Sequence, residues 1–457
     1  MTDIENKPTS KAKEKIAFVC QRYGLEVNGG SELYCRQVAE RLTQIYDVTV
    51  YTTCALDYTD WANKYAPGQE DINEVHVRRF RVAQIRIQSE FGLLCERLLK
   101  PDHTDEEEED WIDKQGPFCP ELIETLKNEH KEYKAILFMT YLYYTTARGI
   151  TKGLDNAIMI PTVHDEPWVY LRFYDKVFAS AKGIAWNTPE ERAFAQKRFP
   201  QIKNRLGVMT GIGIDEPEDA LPEVPDEIRN VSYLVYAGRI DMNKGCQEMI
   251  DYFLRYKHNS DCDLKLVLMG KEVMKVPNHP DIINLGFVSE EMKYAVMADA
   301  VALLLFSRFE SLSMVVLESM MMGRPILVTE HCEVLKGHCV RSNAGLYFKD
   351  YPEFESTLNY LMTHRKEYEI MCKNGKKYVE ENYRWDVITR RYCELIESLG
   401  RDIQTAHNTD KEQSQSQTVS QMPARFRLQD RPGNMKQIHE ALSHHVQRIE
   451  EKEAGIS

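Results

Sequence analysis

Short apolar runs that alternate with amphipathic stretches constrain this chain more than any other feature. "KIAFVC" (15–20), "DVTVYTT" (47–53), "VHVRRF" (75–80), "AILFMTY" (135–141), "AIMIPTV" (157–163) and "GIAWNT" (183–188) read as strands. Between the first two, Gly29-Gly30 precede "SELYCRQVAERLTQI", whose apolar residues recur at helical spacing. That alternation predicts a parallel sheet covered by helices. A second series follows. It comprises "VSYLVYAG" (231–238), a helix from about Lys244, "LKLVLMG" (264–270), "IINLGFV" (282–288), a helix near 290–298, "AVALLLF" (300–306), a helix near 313–322 and "PILVTE" (325–330). The expected architecture is α/β, with two Rossmann-like parallel-sheet domains facing a central cleft.

A chain of 457 residues is too long for one core and suits two domains with a tail. Residues 1–14 read as a flexible start, 15–210 as the first domain and 231–383 as the second. "GIGIDEPEDALPEVPDEI" (211–228), with three prolines, many acids and no periodicity, lies in the expected linker 211–230. A terminal helix over 384–400 is expected to pack back on the first domain, followed by a disordered linker over 401–433. Within 434–457, Met435, Ile438, Leu442 and Ile449 share one face of a helical pattern, which suits self-association or a protein partner. "DHTDEEEEDW" (102–111) reads as a solvated acidic loop.

Charge and cysteine usage exclude some classes. A net charge of −13 argues against bulk binding to nucleic-acid backbones. No run approaches the about 18 apolar residues a membrane span needs. The opening "MTDIENKPTSKAKEK" lacks the apolar core of a secretory signal. Eleven scattered cysteines read as reduced thiols, so a cytoplasmic protein is expected.

Candidate chemistry concentrates in the second series. In "AGRIDMNKG" (237–245), a strand ends at Gly238, and Arg239 and Lys244 follow at the end where open α/β sheets bind ligands. Arginine forks onto phosphate oxygens and lysine supplies a point charge. In "RFESLSMVVLE" (308–318), Ser311 or Ser313 is expected to cap a helix running to Met322. Its N-terminus offers backbone N–H groups and a positive dipole end to an anion. Glu310 precedes that helix, and Glu318 lies about 7 Å beyond its start. The pair can bracket a diphosphate and accept hydrogen bonds from hydroxyls on either side. Read alone, the same residues are a capped helix with two surface charges.

Taken in order, "AGRIDMNKG", "LVLMGKE", "INLGFVSEEMKYAVMADAVALLLFSRFESLSMVVLESMMMGRPILVTE" and "NAGLYF" resemble the nucleotide-sugar domain of GT-B glycosyltransferases, specifically the retaining family-4 enzymes. "FVCQRYGLEVNGGSELYCRQVAERL" and "TVHDEP" extend the resemblance over roughly residues 15–398. It implies that Arg239 and Lys244 hold the donor diphosphate, Glu318 the ribose hydroxyls and Glu310 the transferred sugar. The backbone of Ser311, Leu312, Ser313 and Met314 would meet phosphate and sugar. Val288 of Gly286-Phe287-Val288 would border the base, Gly29 and Gly30 would close over the donor, and His164 would support the reacting centre. The implied reaction is sugar transfer to an acceptor hydroxyl with retained anomeric configuration, without a metal or resident cofactor. The nucleotide sugar, a UDP- or GDP-sugar, is a co-substrate. The implied acceptor is a glycan or lipid-linked glycan in surface-polysaccharide or glycoconjugate assembly; a lipid-linked acceptor would bring the protein to the cytoplasmic face of a membrane. A sugar-nucleotide epimerase and a non-catalytic sugar-nucleotide-binding module share the same fold. "SMVVLES" (313–319) departs from the family, where many members have glycine or small residues after the first glutamate, so Ser313 and Met314 leave sugar selectivity open.

Two further patterns are set aside. Asp261-Cys262-Asp263 fits an Asp-x-Asp metal triplet but precedes a strand, at the end away from the expected ligand. His331, Cys332, His338 and Cys339 lack the usual zinc spacing and read as a structural loop near the donor site.

Overall fold

The structure, a computed structural model, describes residues 12–27, 29–217 and 220–409. Residues 1–11 and the expected helix over 434–457 lie outside these. The chain divides into two compact units. Of the described residues, the first comprises 12–186, Phe194–Thr210 and 389–409; the second comprises Asn187–Ala193 and Gly211–Ile388.

The first unit contains β1 (Lys15–Val19), α1 (Gly30–Leu42), β2 (Asp47–Thr53), β3 (Gly68–Ile72), β4 (Val75–Phe80), α2 (Gln88–Leu98), α3 (Asp105–Gln115) and α4 (Pro120–Glu129). It continues through β5 (Ala135–Met139), α5 (Tyr144–Ile150), β6 (Ala157–Ile160), α6 (Phe173–Ser180), β7 (Gly183–Trp186), α7 (Pro189–Arg198), which starts in the second unit, and β8 (Leu206–Met209). The strands lie in the order β3-β4-β2-β1-β5-β6-β7-β8. All pairs are parallel except β3 with β4. β5, β6 and β7, and β1 after its exposed Lys15, are continuous apolar runs because parallel strands are buried on both faces. Sheet residues such as Val19, Phe138 and Met159 pack with Trp111, Ile123 and Phe178 of the helices. Phe178 stacks on Phe199 with centroids 3.9 Å apart.

The second unit contains β9 (Tyr233–Ala237), α8 (Cys246–Asn259), β10 (Lys265–Met269), β11 (Ile282–Gly286), α9 (Glu290–Asp299), β12 (Ala302–Leu305) and α10 (Met314–Met321). Then come β13 (Ile326–Thr329), α11 (Glu333–Ser342), β14 (Gly345–Phe348), α12 (Tyr351–Thr363), α13 (Arg365–Asn382) and α14 (Trp385–Thr409). Its wholly parallel sheet has the order β11-β10-β9-β12-β13-β14. The strand order reverses between β9 and β12, which makes their carboxyl ends the place for a ligand. From Thr389, α14 belongs to the first unit, where Tyr392 and Tyr34 share a 2.8 Å hydrogen bond and Lys134 binds Glu397 at 2.6 Å. Among the described residues, no helix is long and apolar enough to cross a membrane.

Several local expectations are corrected. The acidic stretch 102–111 is not a solvated loop: α3 starts there on a capping box between Thr104 and Glu107. Its Glu108 is 1% exposed; Oε2 accepts from Phe173 N at 2.8 Å, and Oε1 from Arg172 Nε at 3.0 Å and His103 Nε2 at 2.9 Å. α14 ends at Thr409 rather than at residue 400. β3 was missed because it is a polar edge strand, "GQEDI", with no apolar face to betray it.

Candidate functional site

Register brings the strand ends level. Ala237 of β9 pairs with Met269 of β10, which pairs with Gly286 of β11, and Leu303 of β12 lies opposite Val235. The turns leaving β9, β11 and β12 therefore share one edge of the sheet. At that edge Gly270 (φ +141°) leaves no room for a side chain, since a Cβ would lie 1.9 Å from Gly238 O.

The turn after β9 is built around Asp241. Its buried carboxylate accepts from Asn243 N at 2.7 Å and Lys244 N at 3.1 Å, capping one turn of 3-10 helix over Met242–Lys244. Arg239 Nε donates to its other oxygen. α8 therefore begins at Cys246, after left-handed Gly245, rather than at Lys244. A Cβ on Gly245 would lie 2.4 Å from Phe306 O, so glycine lets this turn close onto the chain leaving β12.

That chain carries Glu310, and Lys244 Nζ lies 2.8 Å from Glu310 Oε1. Burial disfavours the lysine's charge, but Glu310 outweighs it, and the Lys244 pKa rises. The next residues are tied down through their carbonyls. Thr188 Oγ1 donates to Ser311 O at 3.1 Å, and His338 Nε2 to Leu312 O at 2.8 Å. Ser313 then takes the cap position of α10 but does not cap it, contrary to expectation. Its backbone is left-handed (φ +65°, ψ +82°), which carries its hydroxyl away from the helix N–H groups. The residue is 7% exposed, and its Oγ has no hydrogen-bond partner.

One turn into α10, Glu318 is 6% exposed, with Lys293 Nζ of α9 3.0 Å from its Oε1. The same ammonium lies 2.7 Å from Glu290. Burial raises the Glu318 pKa even though Lys293 pulls it down, while the two glutamates hold Lys293 up against its own burial. Val288 is half-buried between exposed Phe287 and Ser289, whose side chain caps α9 on Met292 N at 3.2 Å.

Gly29, Gly30 and His164 belong to the first unit. Gly29 precedes α1 in extended backbone, and a Cβ there would meet Glu32 Oε2 at 2.2 Å. Glu32 is buried with Arg22 Nε and Gln21 Nε2, each 2.9 Å from its Oε1. His164 Nε2 lies 3.5 Å from Glu166 Oε1, which also accepts from Tyr141 Oη at 2.7 Å. Elsewhere His331 meets Lys349 O at 3.0 Å and Cys339 meets Leu346 O at 3.6 Å, so the set-aside histidines and cysteines turn to separate partners.

The second unit thus gathers Arg239, Lys244, Glu310, Ser311–Met314 and, through α10, Glu318 around the β9–β12 switch point. Residues 231–364 match the family described as "Glycosyl transferases group 1". This segment is similar to group 1 glycosyl transferase domains. No curated protein matches the sequence. Among solved structures, a sucrose-phosphate synthase from Thermosynechococcus elongatus is similar at TM-score 0.60 and 15% identity, over 86% of this chain and 100% of that one. Anabaena HepE, in complex with UDP and glucose, gives 0.57 and 14% over 84% and 100%. An E. coli trehalose-6-phosphate protein bound with UDP-2-fluoro glucose gives 0.61 and 11% over 85% and 99%. These likenesses establish the GT-B fold.

Sequence reasoning missed four residues around the candidate site. Asp241 was legible as a cap before "MNK". Lys293, Thr188 and His338 carried no local signal, because each acts on a residue far away in sequence.

Proposed function

We propose that the protein is a glycosyltransferase that moves a sugar from a nucleoside-diphosphate donor, a UDP-sugar first among them, to an acceptor hydroxyl. The observation that carries the reading is the Lys244–Glu310 pair at the β9–β12 switch point of a group 1-like domain. Two structural neighbours, in complex with UDP and glucose and with UDP-2-fluoro glucose, support the choice of base. In this reading the diphosphate takes Lys244 and Arg239 as partners and sits against the N-terminus of α10. Glu310, released from Lys244, accepts from hydroxyls of the sugar, and Glu318 accepts from the ribose. Val288 borders the base through its backbone, and Gly29, Gly30 and His164 keep the roles that the resemblance implies.

The bond from the anomeric carbon to the diphosphate oxygen breaks as the acceptor oxygen bonds to that carbon. Charge grows on the leaving diphosphate, where Arg239, Lys244 and the helix dipole stabilise it. The acceptor proton passes to an oxygen of the leaving phosphate, on the same face, so configuration is retained and no side-chain nucleophile or metal is needed. A glycan or lipid-linked glycan acceptor, on the cytoplasmic side of a membrane, completes the reading.

A thermal-shift panel of UDP-, GDP- and ADP-sugars identifies the donor, because a ligand selective for the folded state raises the melting temperature. Arg239→Ala and Glu310→Ala are then expected to lose on the order of 100-fold or more in turnover. Near-wild-type turnover in both variants overturns the assignment, and product formed from donor alone makes the protein an epimerase instead.

A further inference from the structure

His338 lies on α11, outside the residues that would touch donor, and is completely buried. Its ring meets two partners. Nε2 is 2.8 Å from Leu312 O, and Nδ1 is 3.3 Å from the hydroxyl of Tyr378 on α13. That hydroxyl also receives Arg341 Nε at 3.3 Å and lies 3.3 Å from the hydroxyl of Tyr383. Arg341 in turn pairs with Glu190.

The two ends of this chain fix its direction. A guanidinium can only donate, and a carbonyl can only accept. The ring therefore donates from Nε2 to Leu312 O. Tyr378 accepts from Arg341, and of its two other neighbours a neutral Nδ1 can only accept, whereas the Tyr383 hydroxyl can donate in turn, so we assign the Tyr378 hydrogen to Nδ1. The imidazole must be neutral to accept at Nδ1. Burial first, and then the charge of Arg341, act the same way, and the His338 pKa falls to about 3.

The residue so held lies next to the strained one. Left-handed backbone at a serine persists only where the surroundings over-determine it. Here the carbonyls of the two preceding residues are each fastened, Ser311 O by Thr188 and Leu312 O by His338. We infer that His338 is a positioning residue, a neutral Nε2–H imidazole that clamps the Leu312 carbonyl and so aims the N-terminus of α10 at the donor diphosphate. This rests on the proposed donor site, to which it adds a residue that never touches the ligand.

Side-chain geometry supplies the test. The amide nitrogen of glutamine falls where Nε2 does, whereas that of asparagine falls near Nδ1 and cannot reach Leu312 O. Donor affinity is measured by calorimetry with the sugar nucleotide chosen in the thermal-shift panel. His338→Asn is expected to weaken binding roughly tenfold or more and His338→Gln by no more than about threefold. Equal affinities in the two variants overturn the clamp, because a purely structural loss would not be rescued by glutamine alone. Should His338→Asn fail to fold, Tyr378→Phe, which removes the hydrogen held by Nδ1, is expected to weaken binding in its place; wild-type affinity in that variant counts against the clamp. The nitrogen-15 resonances of the His338 ring need no donor. They are expected to show an Nε2–H neutral ring at pH 5–7, and an Nδ1–H ring or an imidazolium overturns the proposal on its own. Absence of nucleotide-sugar binding by the wild type with an Nε2–H ring retained would instead reject the donor reading, and with it the link from clamp to ligand.

Discussion

Replacing Ser313 by glycine is expected to stabilise the second unit. At φ +65° and ψ +82° the serine sits where an L side chain crowds the following carbonyl, a cost of about 1–2 kcal/mol. Its buried hydroxyl is also unpaired, which adds about 1–3 kcal/mol of unrecovered desolvation. Glycine removes both costs and returns about 0.5–1 kcal/mol through the greater freedom of the unfolded chain. The balance favours glycine by at least about 1 kcal/mol, a rise of about 2–4 °C for a unit of this size. Differential scanning calorimetry, following the transition of the second unit, measures it. Ser313→Ala separates the causes, since it deletes the hydroxyl but keeps the strain, and is expected to fall between wild type and Ser313→Gly. A Ser313→Gly protein that melts below both would refute the reasoning, because the left-handed backbone would then not be costing what its angles imply.

Lys293→Met should make donor binding depend on pH. Without the ammonium, nothing offsets the burial that raises the Glu318 pKa, so the carboxyl stays protonated to higher pH. A raised carboxyl pKa favours the protonated folded state, so the Glu318 contribution to stability fades as pH rises from the unfolded value near 4.3 through the folded one. Donor affinity should run the opposite way, poor at low pH and recovering as Glu318 ionises; titration curves that match wild type at every pH would contradict this. In the first unit, Glu108→Ala strands the buried Phe173 N–H and frees the exposed Arg172 and is expected to cost about 1–3 kcal/mol by denaturant unfolding. A loss under about 1 kcal/mol would mean water replaces the carboxylate there.

Apolar runs alone located most strands. β2 over Asp47–Thr53 and β4 over Val75–Phe80 coincide with the runs that announced them, because valines alternate with polar residues at the period of a strand in both. β3 is polar and borrows its conformation from β4, so its signal lies in the partner rather than in itself. α3 was hidden for another reason: its acids erased the apolar period, although Thr104 and Glu107 stood at capping-box spacing all along. In the candidate site, Arg239, Lys244, Glu310 and Glu318 were legible by type and spacing, as cations after a strand and carboxylates flanking a helix start. Their partners were not. That Glu310 meets Lys244, that Glu318 meets Lys293, and that Ser311 and Leu312 hang from Thr188 and His338 follows from strands brought level in a sheet. Sequence by itself determined where strand ends and helix starts carry charge, because periodicity and capping are local. Only the tertiary structure decided which charges pair and which backbone is held under strain, because those contacts join residues that the chain separates and the β9–β12 crossover brings together.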